Sequence, residues 1–178
     1  MEAAASESHD AWAGFLKGLL ERGLVPPLLV ISDGGAGLIS ACELVLGRSL
    51  RQRCLVHKCR NVLSKVSLHD QEQVKKEFWE IFDTAELGLA PGQQLVDAIQ
   101  RRLVDFAARW EKTYPAATKS LLADRSSLTS YLRFPVEHHK RIRHSNFIER
   151  TFGETRRRVK VIGRFPGETS CVSLAFAV

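Results

Sequence analysis

The chain has 178 residues, enough for one domain with a sizeable core or a core carrying one insertion. Its hydrophobic share of 44% and charged share of 26% match a soluble globular protein, and no apolar run approaches the roughly 20 residues of a membrane span, which excludes a membrane-embedded role. Twenty-six Lys and Arg against twenty Asp and Glu give a net charge of +6, which favours a polyanionic partner.

The N-terminus has neither the basic start nor the apolar stretch of a secretory signal, so a cytoplasmic protein is expected. Trp12, Phe15, Leu16, Leu19 and Leu20 recur at helical spacing, with Gly23 as the stop. Leu28-Leu29-Val30-Ile31 then reads as a strand buried on both faces, as in a parallel or mixed sheet flanked by helices. Ser32-Asp33-Gly34-Gly35 ends it, and Leu38, Ile39, Cys42, Val45 and Leu46 mark the buried face of a second helix. Leu50 to Val56 alternates and predicts a second strand with one more polar face. Helix, strand, helix, strand is the rhythm of an α/β sheet.

From Lys58 to about Leu132 the pattern is helical. Val74, Phe78, Ile81 and Phe82 predict one amphipathic helix; Leu95, Ile99, Leu103, Phe106 and Trp110 predict another after Pro91-Gly92. Tyr114-Pro115 precedes a third at Leu121-Leu122, and Phe134-Pro135 closes what resembles an insertion in an α/β core. A basic helix is expected from about Asn146 to Lys160, followed by Gly163, Pro166 and an apolar stretch from Cys171 to Val178. The organisation expected is 1–57 and 134–178 as two parts of one core, with 58–133 inserted between them. The final stretch stops without a polar cap, which suggests truncation.

Asp33 falls at the carboxyl end of a buried strand, where open α/β sheets place ligand sites, and a carboxylate there suits a divalent metal. From position and residue type alone the favoured reading is that Asp33 caps the next helix. Gly34-Gly35-Ala36-Gly37 lacks the Lys-Ser or Lys-Thr of a phosphate-binding loop. In the basic helix Asn146, Glu149, Gly153, Arg156 and Lys160 share one face, while Ile148, Phe152 and Val159 form an apolar face able to pack on a sheet. Glu149 pairing with Arg150 or Arg156 would be the ordinary alternative. Arg156-Arg157-Arg158 repel one another without an anionic partner, and the backbone of DNA is the partner expected.

Ten basic residues between Arg133 and Arg164 are opposed only by Glu137, Glu149 and Glu154, so the excess charge is local, as a phosphate-contacting surface requires. Cys54 and His57 would face opposite sides of a continuous strand and converge only if the strand ended between them; a zinc site is not expected from this pair. The four cysteines do not read as a disulfide framework, and Cys42 and Cys171 look like small core residues. Trp110 is a core aromatic at helical spacing, or one placed to stack an extruded base. His138, His139 and His144 lie among cations and could touch phosphate or solvent.

Several blocks together resemble the Mutator-type transposases of bacterial insertion sequences: Ile31-Ser-Asp-Gly-Gly-Ala-Gly-Leu38, Gln52-Arg-Cys-Leu-Val-His-Lys-Cys-Arg-Asn61 and Trp110-Glu-Lys-Thr-Tyr-Pro115. The fullest is Arg143-His-Ser-Asn-Phe-Ile-Glu-Arg-Thr-Phe-Gly-Glu-Thr-Arg-Arg-Arg158, followed by Gly163-Arg-Phe-Pro166. The resemblance implies a ribonuclease H-like core, here incomplete, and an Asp-Asp-Glu triad in which Asp33 matches the second Asp and Glu149 the Glu, with Glu154 as runner-up. It further implies Mg²⁺ or Mn²⁺ in a two-metal site, cleavage of double-stranded DNA at element ends and strand transfer, with homo-oligomers in the full-length protein. Arg143, Arg150, Arg156, Arg157, Arg158 and Lys160 would grip phosphates; Cys54, His57 and Asn146 would support the site. Asp10 is the sole aspartate before Asp33, so the first triad member is expected to be missing and this chain inactive alone, or a non-catalytic DNA-binding remnant that interferes with the full-length transposase.

Overall fold

The computed structural model describes residues 6–177, with the side chains of residues 147, 151, 168 and 175 outside that description. In chain order the elements are α1 His9–Glu21, β1 Leu29–Ser32, α2 Ala36–Val45, β2 Leu50–Arg53, α3 Leu55–Leu63, α4 Gln71–Ile81, α5 Gln93–Trp110 and α6 Pro115–Ala123. A 3₁₀ turn Ser130–Arg133, α7 Val136–Ile142, α8 Asn146–Ile162 and α9 Glu168–Ala177 follow. The chain is mixed α/β and mostly helical. It divides into two compact units: Leu28–Asp33 with Leu50–His144, and Met1–Pro27 with Gly34–Ser49 and Ser145–Val178.

The first unit holds the sheet. β1 and β2 pair in parallel, Leu29 opposite Leu50 and Ser32 opposite Arg53, so both strands end at the same edge. Two expectations change here. Leu28 lies outside β1 and is 78% exposed, while Leu29 to Ile31 are only half-buried, because a sheet of two strands offers little cover. The second strand stops at Arg53 rather than Val56: Leu55, Cys59 and Val62 are all buried at helical spacing, and that period wins over the local alternation of Leu50, Cys54 and Val56. Both polar residues at the end of β2, Gln52 and Arg53, are buried, one on each face of the strand.

Gln52 is fully satisfied there. Its Nε2 donates to the Leu128 carbonyl (3.2 Å) and the Arg53 carbonyl (2.7 Å), and its Oε1 accepts from the Tyr131 N–H at 2.9 Å. Around it α3, α4, α5 and α6 contribute one apolar core through Leu55, Val62, Val74, Phe78, Ile99, Leu103 and Leu121, joined by Tyr131 and Leu132 of the 3₁₀ turn. Each such side chain stabilises the fold by roughly 1.5–3 kcal/mol on burial. Pro115 starts α6 at the position where its missing N–H costs nothing.

In the second unit Ser8 caps α1 by accepting from the Ala11 N–H, and Gly23, at φ +94°, follows its end in a conformation other residues rarely adopt. Ala13 and Leu16 of α1 and Ala41, Cys42 and Leu46 at α2 are buried. Gly37 permits the close approach of α2 to the start of α1, since a Cβ there would lie 2.6 Å from the Glu7 carbonyl oxygen. The His9 ring and Ser40 hydroxyl meet at 2.8 Å across the same junction.

α8 runs two residues past its expected end and stops at Gly163, φ +70°. Its apolar face is not covered: Ile148 and Phe152 are 53% and 52% exposed. Its own unit has no strand among the described residues, so the face has no sheet there to lie on. Cys171, expected to be a core residue, is exposed on α9, and Val178 of the predicted apolar stretch lies outside the described residues. None of the four cysteines is in a disulfide. Among the described residues no helix is long and apolar enough to cross a membrane.

Candidate functional site

The carboxyl edge of the parallel pair gathers the first set of candidates. Asp33 leaves β1 exposed. The N-cap of α2 falls on Gly35, two residues beyond Asp33. On the neighbouring strand Cys54 follows Arg53 as the N-cap of α3, and its N–H donates to the Ser32 carbonyl at 2.8 Å. The strand therefore ends before Cys54, and the helical turn brings the Cys54 sulfur within 4.8 Å of a His57 ring nitrogen. The condition under which the two side chains converge is met.

The Cys54 turn is held on three sides by backbone. The Arg53 N–H donates to Ser127, the Cys54 N–H to Ser32 and the Leu55 N–H to Arg143. Asp124, at the end of α6, adds charge: its Oδ2 lies 2.6 Å from Lys58 Nζ and 3.3 Å from Arg53 Nε. Lys58 also donates to the Ser120 carbonyl at 2.8 Å. Burial disfavours the Lys58 ammonium and lowers its pKa, with the hydrogen bond that Lys58 donates to Asp124 opposing that shift. Burial pushes the nearby Cys59 thiol up to about 11, which leaves it an unreactive core residue.

Sequence patterns did not single out Asp124 or Gln52. Both act over 60 or more positions of separation. A carboxylate at a helix C-terminus, where the macrodipole is unfavourable, is the one local sign that Asp124 answers to something else.

In the second unit Ser145 is the N-cap of α8 without a side-chain capping bond to a backbone N–H, and its hydroxyl donates to Glu149 Oε1 at 2.7 Å. Asn146 opens the helix and Glu149 lies in its first turn, where a carboxylate is favoured by the dipole. Glu154 is differently placed. Arg157 donates to it twice, at 2.8 and 3.1 Å, and Arg158 once at 3.2 Å, and these hydrogen bonds lower its pKa. Two of the three consecutive arginines thus have an anionic partner within the helix, contrary to the expectation of unrelieved repulsion. Arg150, Arg156 and Lys160 are exposed with no carboxylate in ion-pair range among the described residues.

Other candidates are occupied elsewhere. Arg143 is half-buried, its guanidinium 5.7 Å from the centre of the Trp79 ring and beside the Tyr131 hydroxyl. His139 is buried, its Nε2 2.7 Å from the Phe134 carbonyl oxygen and its ring edge-on to Tyr131, which removes it from the list of phosphate contacts; His138 is exposed. Trp110 donates to Glu77 Oε2 at 2.8 Å and packs against the core.

A family profile described as "Transposase, Mutator family" matches residues 1–178. The chain is 32% identical over all its 178 residues to the transposase for insertion sequence element ISRM5 of Rhizobium meliloti, covering 42% of that protein. It is 33% identical over 171 residues to the transposase for IST2 of Acidithiobacillus ferrooxidans, which is 96% of this chain and 55% of that one. With the transposase for IS256 in transposon Tn4001 of Staphylococcus aureus it shares 31% identity over 176 residues, 98% of this chain and 43% of the other. The chain spans about half the length of the curated relatives it matches.

Proposed function

Because the chain belongs to the Mutator family of transposases, we propose that it serves transposition by metal-dependent cleavage and transfer of double-stranded DNA at insertion-sequence ends. The observation that carries the proposal is the position of Asp33, exposed where β1 ends at the carboxyl edge of the parallel pair. In this reading Asp33 and Glu149 are two members of an Asp-Asp-Glu set on a ribonuclease H-like core, with the helical segment between them as an insertion.

The donor chemistry fits a hard divalent cation, since both residues offer carboxylate oxygens and Mg²⁺ or Mn²⁺ takes few protein ligands and keeps waters. When bound, two such ions activate an attacking oxygen and stabilise the leaving one. The chain's own part is to present the carboxylates and hold DNA. Ser145 fixes one oxygen of Glu149. Arg150, Arg156 and Lys160 take phosphates directly, and Arg157 and Arg158 do so while shared with Glu154.

Asp10, the one aspartate before Asp33, lies in the first turn of α1 and serves that helix's dipole. Asp33 and Glu149 are the two carboxylates proposed from this chain, and homo-oligomers belong to the longer proteins. The test pairs duplex binding with nicking in Mg²⁺ or Mn²⁺, for the natural chain and for Asp33→Asn. Salt-sensitive duplex binding in both chains, with nicking lost in Asp33→Asn, supports the proposal, and equal background nicking in both sinks its catalytic part. A chain that does not bind duplex DNA would overturn it.

A further inference from the structure

We infer that Asp124 is a positioning residue, which fixes the turn carrying Cys54 and His57 by gathering Arg53 and Lys58 on one carboxylate oxygen. The two cations bracket the pair in sequence: Arg53 immediately precedes Cys54, and Lys58 immediately follows His57. Both side chains are nearly enclosed, at 5% and 4% exposure, so neither can find a counter-ion in solvent. Two buried cations this close require an anion, and Asp124 is the carboxylate that reaches them.

The backbone supports the same assignment. The last amide of β2, on Arg53, donates to the Ser127 carbonyl, and Ser127 in turn donates both its N–H and its hydroxyl to the Asp124 carbonyl. Lys58 reaches one turn further back, to Ser120. The end of α6 is therefore a socket for the start of α3, with Asp124 at its centre. A carboxylate at that helix end opposes the macrodipole, so helix stability does not account for it. Its cations do. Removing the charge releases the first turn of α3, and with it the sulfur and ring that stand at the Asp33 edge of the sheet.

The inference rests on reading that edge as the functional site, but its test needs neither DNA nor metal, so its failure is separate from that of the proposed function. Asp124→Asn keeps the shape and removes the charge; Asp124→Glu keeps the charge. Thiol labelling followed by peptide mapping is expected to reach Cys54 about tenfold faster in Asp124→Asn, an opening confined to one turn, while Cys59 stays protected. The His57 ring resonances move in the same variant, and Asp124→Glu restores both signals towards those of the natural chain. If Asp124→Asn does not fold, Lys58→Gln leaves Asp124 paired with Arg53 and is expected to favour Cys54 over Cys59 in the same way, about threefold. Cys54 as protected as in the natural chain overturns the inference. So does uncovering of Cys54 and Cys59 together, which marks a contribution to general stability alone.

Discussion

The Cys54 N–H donates to the Ser32 carbonyl at 2.8 Å, closing the parallel pair at the edge from which Asp33 departs. That bond is possible because β2 stops at Arg53, and it puts the start of a helix next to the end of a strand. The edge is built from groups that answer to one another.

Gln52→Leu is expected to destabilise the sheet-bearing unit by about 2–4 kcal/mol, since it orphans the buried Tyr131 N–H and one bond of the Leu128 carbonyl. Chemical denaturation followed by tryptophan fluorescence measures it. A loss under 1 kcal/mol, on the same scale, would show that water replaces the amide.

Tyr131 sets an alkaline limit. Burial pushes its hydroxyl up to about 12, against the opposing charge of Arg143, while the unfolded chain ionises near 10. Between those values the unfolded state has lost a proton that the folded state keeps, so stability is full below pH 10 and falls as pH rises towards 12. Tyr131→Phe is expected to flatten that fall by roughly 2–3 kcal/mol across the window. Denaturation midpoints at pH 9 and at the highest pH the protein survives compare the two chains.

Glu154→Gln frees Arg157 and Arg158 and removes a negative charge from α8, the helix proposed to meet phosphates, so duplex affinity is expected to rise, with a steeper dependence on salt. Arg156→Ala or Lys160→Ala is expected to weaken binding without regard to sequence and to reduce the salt slope by about 1 each. Fluorescence anisotropy at several salt concentrations distinguishes these outcomes from a merely structural effect, which leaves the slope alone.

The helices of the core were legible because their apolar residues are close in sequence: Val74, Phe78 and Ile81, or Leu95, Ile99 and Leu103, declare their faces unaided. The start of α3 was not. Leu50, Cys54 and Val56 alternate like a strand, and only packing across the unit decides for Leu55, Cys59 and Val62. Glu149 and the cations of α8 stood out through helical spacing, yet the uncovered Ile148 and Phe152 did not follow from it. Asp124 and Gln52 were illegible because their partners lie over 60 positions away, where no local pattern reaches.

Asp33 and Glu149 are proposed as carboxylates for a divalent metal. Mn²⁺ titration of the natural chain, Asp33→Asn, Glu149→Gln and Glu154→Gln, followed by electron paramagnetic resonance of the free ion, decides whether they are. Weak binding by the natural chain, unchanged in Glu154→Gln and reduced in both other variants, is the result predicted. Equal binding by all four chains would contradict it.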